Sequence, residues 1–244
     1  MKSRLTLFTA LMLLPLFSYS QGTRLLRQPA VSDRHIAFVY ADDIWIAGRD
    51  GGAAIRLTSN EGSESFPHFS PDGSKIAFTG QYDGNTDVYV VNTDGGEPER
   101  LTWHPGNDIV QGWMPDGRSV IFQSSREGVP TKIVKFYTVP LTGGLPQPMV
   151  VPQAAFGDIS DDGQYLAYTP ITSWDPEWRN YRGGQAQPIW ILNLKTYELK
   201  QTPQTDRERH QDPVWYKGSV YFLSERDYAN NIWRYNPANK ELKQ

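Results

Sequence analysis

Four histidines (His35, His68, His104 and His210), together with many serines and aspartates, could in principle supply a Ser–His–Asp hydrolytic centre. Such a centre needs a nucleophile held on a sharp turn, and no Gly-x-Ser-x-Gly elbow occurs in the chain. His35 and His68 fall at or within predicted strands, and His104 and His210 fall in connecting segments. The close His–carboxylate pair His210 with Asp212 lacks the rest of a catalytic frame. No catalytic residue is therefore assigned. Metal chemistry fares no better: there is no His-Glu-x-x-His spacing and no cysteine, and Asp161-Asp162-Gly163 lacks the alternating oxygen ligands of a calcium loop. Gly183-Gly184 has neither the lysine nor the strand-to-helix setting of a phosphate loop. No metal and no cofactor are expected.

The residues best suited to binding lie between Ile171 and Gln187. Trp174, Trp178, Arg179, Tyr181 and Arg182 fall close together there. Aromatic rings give contact area and guanidinium groups recognise carboxylates, the usual content of a peptide or protein interface. The competing explanation is that the aromatic rings anchor a long loop and the arginines are solvated.

The elements that must carry this segment repeat along the chain. Residues 65–102 read as a short apolar run, a turn at Ser70-Pro71-Asp72-Gly73, the strand Lys75 to Thr79, a polar loop, and the strand Asp87 to Asn92. A second turn at Asp94-Gly95-Gly96 then leads to Arg100-Leu101-Thr102. Proline presets φ for a turn, Gly accepts positive φ, and β-branched and aromatic runs favour strands. The frame recurs over 28–58, 108–150, 154–202 and 209–244, with turn glycines Gly73, Gly117, Gly163 and Gly218 standing 44, 46 and 55 residues apart. A period of this length with four strands per copy marks a β-propeller blade. The expected fold is thus all-β, a propeller of four-stranded antiparallel blades with five blades visible. The insertion sits between the second and third strands of the fourth blade. Arg126 and Arg226 hold equivalent places in their blades, and a shared structural role bonding neighbouring loop carbonyls is expected of them.

Composition agrees. The 244 residues include 21 Gly and 18 Pro, and 13% are aromatic, as many short strands joined by turns require. A formal charge of −3 gives no basic face, so nucleic-acid binding is not expected. Residues 1–20 combine Lys2 and Arg4, an apolar run over Leu5–Phe17, and Ser18-Tyr19-Ser20 with small residues at −3 and −1. That pattern predicts a signal peptide cleaved after Ser20, and hence export to a bacterial periplasm or cell surface. The propeller would occupy 21–244 and stop where the outer strand of the fifth blade should finish, which reads as truncation at the C-terminus.

The elements Phe122-Gln123-Ser124-Ser125-Arg126, Phe222-Leu223-Ser224-Glu225-Arg226, Asp43-Ile44-Trp45 and Asp87-Val88-Tyr89 resemble TolB-like (WD40-like) propeller repeats. The run from Asp175 to Trp190, with Trp178-Arg179-Asn180-Tyr181-Arg182-Gly183-Gly184, resembles the Trp-Lys/Arg-x-Tyr-x-Gly-Gly segment of the tricorn protease family. Pro29-Ala30-Val31-Ser32 with Ile36-Ala37-Phe38 sits where that family begins its first propeller. The resemblance implies most of a six-bladed N-terminal propeller, non-catalytic itself, with a second propeller, a PDZ-like domain and a serine-peptidase domain downstream in the same polypeptide. It implies peptides as partners, passing to or from the catalytic chamber, and leaves a homo-oligomer open. Two other readings carry distinct expectations. A stand-alone TolB-like propeller would bind a protein partner in the cell envelope, and the propeller of a prolyl-oligopeptidase-type enzyme would precede an α/β-hydrolase domain.

Overall fold

The structure is a computed structural model, described here over residues 25–127, 133–172 and 182–244. Every regular element among the described residues is a strand. Blade 1 consists of β1 (Arg27–Val31), β2 (His35–Tyr40), β3 (Asp43–Gly48) and β4 (Ile55–Arg56). Blade 2 follows with β5 (Ser63–Phe69), β6 (Lys75–Tyr82), β7 (Asn85–Asn92) and β8 (Glu99–Arg100). Blade 3 contains β9 (Asp108–Trp113), β10 (Ser119–Ser124), β11 (Lys135–Pro140) and β12 (Gln147–Pro148). Blade 4 comprises β13 (Phe156–Ile159), β14 (Tyr165–Thr169), β15 (Trp190–Asn193) and β16 (Leu199–Gln201). Blade 5 is β17 (His210–Tyr216), β18 (Ser219–Ser224), β19 (Asn231–Asn236) and β20 (Glu241–Lys243). Each blade is a four-stranded antiparallel sheet in sequence order, as the repeat predicts.

The core lies between the blades rather than within any one of them. Side chains alternate across a strand, so a blade with neighbours on both faces needs apolar residues on both. In β6, Ile76 and Phe78 pack toward Ala37, Val39, Ile44 and Ile46 of blade 1. Ala77, between them, packs with Val110, Val120, Phe122 and Tyr137 of blade 3. This explains why β6 is buried almost throughout, without the in–out alternation of a one-sided sheet. Further layers join blade 3 to blade 4 (Ile121 and Phe136 with Leu166 and Tyr168) and blade 4 to blade 5 (Ile189 and Ile191 with Val220 and Phe222). Each fully buried Phe or Ile contributes roughly 1.5–3 kcal/mol relative to exposure.

Antiparallel order divides the molecule into two faces. The short reversals between first and second, and between third and fourth, strands form a turn face. The loops between second and third strands, and the connections between blades, form a loop face. On the turn face, Gly73 N–H donates to Ser70 O (2.8 Å), and Asp72 Oδ1 accepts from Ser70 Oγ (2.6 Å) and Ser74 N (3.0 Å). Gly73 itself has φ +71°, which a glycine adopts without strain. The same bonds recur at Ser160-Asp161-Asp162-Gly163, where Gly163 N–H reaches Ser160 O at 2.7 Å. The Asp-Gly pairs are turn hardware. Among the described residues, no group of three or more His, Cys, Asp or Glu could hold a metal ion.

Candidate functional site on the loop face of blades 4 and 5

The loop face is organised by a threonine that ends three of the blades. Thr58, Thr102 and Thr202 each accept, on Oγ1, the N–H of a residue at the third strand of the same blade: Ile44 (2.9 Å), Val88 (3.0 Å) and Ile189 (3.0 Å). Six residues after each threonine comes a buried acid, Glu64, Asp108 or Glu208. A carboxylate that loses water must find partners. Glu64 takes Thr58 Oγ1, Tyr82 Oη and the Ile44 N–H (3.0 Å). Asp108 takes the guanidinium of Arg126 at 2.7 Å. Glu208 takes Arg226 at 2.9 Å, with the N–H groups of Thr205 (3.0 Å) and Asp206 (2.8 Å). Burial alone would raise the Glu208 pKa, but these N–H groups and the Arg226 charge hold it near about 2. The acids were not singled out from sequence, although the Thr-x5-Glu/Asp spacing was there to find.

Arg126 and Arg226 do share a structural position, but the expected bonding to loop carbonyls holds for only one of them. Arg226 reaches Pro203 O as well as Glu208. Arg126 instead bonds the side chains of Asp108 and Ser124, and lies over Phe122 and Tyr137 (5.1 and 4.9 Å). A buried carboxylate is the stronger partner for a guanidinium than a carbonyl, and it draws Arg126 inward.

Blade 5 differs from blades 2 and 3 in one respect. Its buried acid precedes the first strand, and His210 takes the strand position, paired with Ser224 as Asp108 is with Ser124. His210 thus opens β17 and does not lie in a connection. It is fully buried, with Nδ1 2.8 Å from Thr202 Oγ1 and Nε2 3.5 Å from Glu208. Asp212 is exposed, so the pairing suggested by sequence is replaced by Glu208. Burial lowers the His210 pKa to about 4, against the opposing pull of Glu208, and leaves the ring neutral at pH 7. The neighbouring hydroxyl belongs to a threonine committed to the Ile189 amide, so the arrangement has no nucleophile. It is a structural network.

Onto this network the insertion of blade 4 is fastened. Trp174, Trp178, Arg179 and Tyr181 lie outside the described residues, and Arg182 lies within them. Its Nη2 donates to Glu225 O at 3.0 Å, its guanidinium stands 5.0 Å from the Tyr228 ring centre, and Asp206 and the Glu225 carboxylate are each 3.8 Å away. Arg209 holds that carboxylate at 2.8 Å, and Tyr228 Oη reaches Asp206 at 3.3 Å. Arg182, Arg209 and Arg226 face Asp206, Glu208 and Glu225, so the charges balance and the patch is no anion trap. At the base of the insertion, the Gln187 side chain brackets the Ile171 backbone through its N–H (3.2 Å) and carbonyl (2.6 Å). The segment leaves blade 4 and reaches blade 5.

Comparison with known proteins follows the same architecture. The model of the tricorn protease N-terminal beta propeller domain matches residues 23–244. Tricorn protease homolog 1 of Streptomyces coelicolor is 31% identical over 209 residues, covering 85% of this chain and 19% of that protein. The crystal structure of the tricorn protease superposes with a TM-score of 0.75 at 26% identity, over 90% of this chain and 22% of that one. TolB from Acinetobacter baumannii superposes at 0.69 with 21% identity, over 89% of this chain and 53% of that one, a likeness of fold alone. The chain spans about a fifth of the length of the Streptomyces relative. By the match across nearly its whole length, the chain belongs to the tricorn protease N-terminal β-propeller family.

Proposed function

We propose that this chain is the non-catalytic propeller module of an exported tricorn-like serine protease, and that it guides peptides to or from catalytic domains carried downstream in the same polypeptide. The observation that carries the reading is the family match over residues 23–244, in a chain where the histidine with a hydroxyl and a carboxylate around it is buried and committed to structure. The insertion of blade 4 is the peptide-contacting segment, through Trp174, Trp178, Arg179, Tyr181 and Arg182. Its attachment to blade 5 supports this role, because a loop that is to meet a ligand repeatedly gains from an anchored end.

The test uses the polypeptide that carries the catalytic domains. Deleting Trp178–Arg182 is expected to slow cleavage of oligopeptides while a fluorophosphonate still labels the catalytic serine. Unchanged processing of peptides would overturn the reading. Export is tested separately: the mature secreted protein should begin at Gln21, and an N-terminus at Met1 would refute cleavage after Ser20.

A further inference from the structure

The turn face carries a second feature. Successive turns there lean on one another. The position where a Cβ would stand on Gly117 is 3.7 Å from Pro71, and that on Gly163 is 3.7 Å from Pro115. The proline of one blade therefore plugs the cleft beside the glycine of the next. Blade 4 has Asp161 in the proline position, and blade 5 turns in only two residues, Lys217-Gly218, so that Gly218 has nothing within 4 Å. The cleft left open there is a cavity of about 350 Å³. Tyr165, Ile191, Trp215 and Pro237 wall it, and Asp161 and Lys200 stand at its rim.

Two further observations concern what fits. Trp113, at the matching place in blade 3, donates its indole N–H to His68 O of the preceding blade at 2.9 Å. Trp215 is 8% exposed, yet its indole N–H has no acceptor. That N–H is itself covered, so the tryptophan offers the cleft apolar ring surface. The rim also carries an exposed acid: Lys200 is spent on Glu198 at 3.1 Å and Asp162 is held in its turn by Ser160 and Gln164, which leaves Asp161.

We propose that this cleft is a binding site for a peptide segment that presents an apolar side chain of leucine or phenylalanine size beside a lysine or arginine. The side chain fills the space that Pro71 and Pro115 fill at the other junctions and packs on the Trp215 ring. The basic neighbour meets Asp161. The volume exceeds what one proline ring needs and suits a large side chain with part of its backbone. The inference rests on the cleft and is independent of the role given to the insertion, which lies on the opposite face.

Asp161→Pro restores the plug without new strain, because position 161 is the second residue of the same turn that holds Pro71 and Pro115. Fluorescence anisotropy of a labelled Gly-Lys-Phe-Lys-Gly peptide on the full chain is expected to saturate, with Gly-Glu-Phe-Glu-Gly at least tenfold weaker. Asp161→Pro should weaken the lysine peptide at least tenfold while the melting temperature holds or rises. Ala238→Trp, which fills the rim from the other side, should do the same. Lack of saturation, equal binding of the acidic peptide, or unaltered binding by both Asp161→Pro and Ala238→Trp would overturn the proposal. An anisotropy change that tracks self-association of the chain would overturn it too.

Discussion

The junction between blades 2 and 3 and the junction between blades 4 and 5 solve one packing problem in two ways. At the first, a strand acid (Asp108) meets Arg126, an indole (Trp113) meets the His68 carbonyl, and Pro71 fills the turn cleft. At the second, the acid has moved out of the strand and a neutral histidine stands in its place. The indole of Trp215 lacks an acceptor, the turn cleft is open, and Arg182 of the insertion braces the loops. Where a repeat keeps its residues, its blades interlock by themselves. Where it loses them, an added segment does the bracing on one face and a cavity opens on the other. Function in a repeat protein concentrates at such departures, because the shared positions are already committed to holding neighbours together.

The largest test of this contrast removes the acids. Glu208→Ala strands the Arg226 charge and frees the N–H groups of Thr205 and Asp206, and should cost about 3–5 kcal/mol, the usual result of breaking a buried pair from one side. Asp108→Ala loses Arg126 alone and should cost less, by about 1 kcal/mol. Denaturant unfolding of both variants measures the difference. Equal losses would show that the slide of the acid out of the strand has no energetic consequence.

The indoles give a smaller contrast. Trp113→Phe removes a hydrogen bond and leaves the His68 carbonyl short of a partner, a loss of about 1–2 kcal/mol. Trp215→Phe removes a donor that has no acceptor, and should be within about 0.5 kcal/mol of neutral. A large loss at Trp215 would mean that its N–H is engaged after all.

The propeller itself was readable from residues because its signals are local. Ser-Pro-Asp-Gly makes a turn wherever it falls, and a run such as Lys75–Tyr82 is a strand whatever its partner. The spacing of Gly73, Gly117 and Gly163 needs no structure to be counted. The loop-face network was not readable in the same way. Glu64, Asp108 and Glu208 look like solvated acids until the blades close around them, since burial depends on the neighbouring repeat. The pairing of His210 with Glu208 rather than Asp212 turns on the bulge between Gln211 and Val214, which points Asp212 outward. Arg126 was placed correctly in its blade but given the wrong partner, because the acid that attracts it lies on another strand. The cleft was visible only as an oddity, an aspartate at 161 where Pro71 and Pro115 stand. That it left a cavity required the position of Gly218.

Turn plugging predicts paired effects of opposite sign. Pro71→Ala should destabilise the chain, and Asp161→Pro should stabilise it, each by about 0.4–1 kcal/mol through unfolded-state entropy alone. Contact with the next glycine adds to both. If Asp161→Pro destabilised the chain, the turn of blade 4 would differ from those of blades 2 and 3 in more than its side chain.

The smallest effect lies in the response to pH, where two groups at the 4–5 junction oppose each other. Burial raises the Asp158 pKa to about 6, although its carboxylate accepts the Trp215 backbone N–H at 2.8 Å. Its ionised form is disfavoured in the folded state, so its contribution to stability falls as pH rises from the ordinary aspartate value of 3.8 to about 6. His210, lowered from 6.5 to about 4, acts in the other direction: the unfolded chain binds its proton first, and stability falls as pH drops from 6.5 to 4. The two windows overlap between about 4 and 6, so the wild-type junction should be nearly indifferent to pH there. Each group is unmasked by removing the other. The stability of Asp158→Asn relative to wild type should rise with pH across this window, and that of His210→Gln should fall. The 2–3 junction carries a histidine of the same kind, because burial lowers the His68 pKa to about 4, so His68→Gln should show the same fall as His210→Gln. Flat difference profiles for both Asp158→Asn and His210→Gln would mean that water reaches both groups.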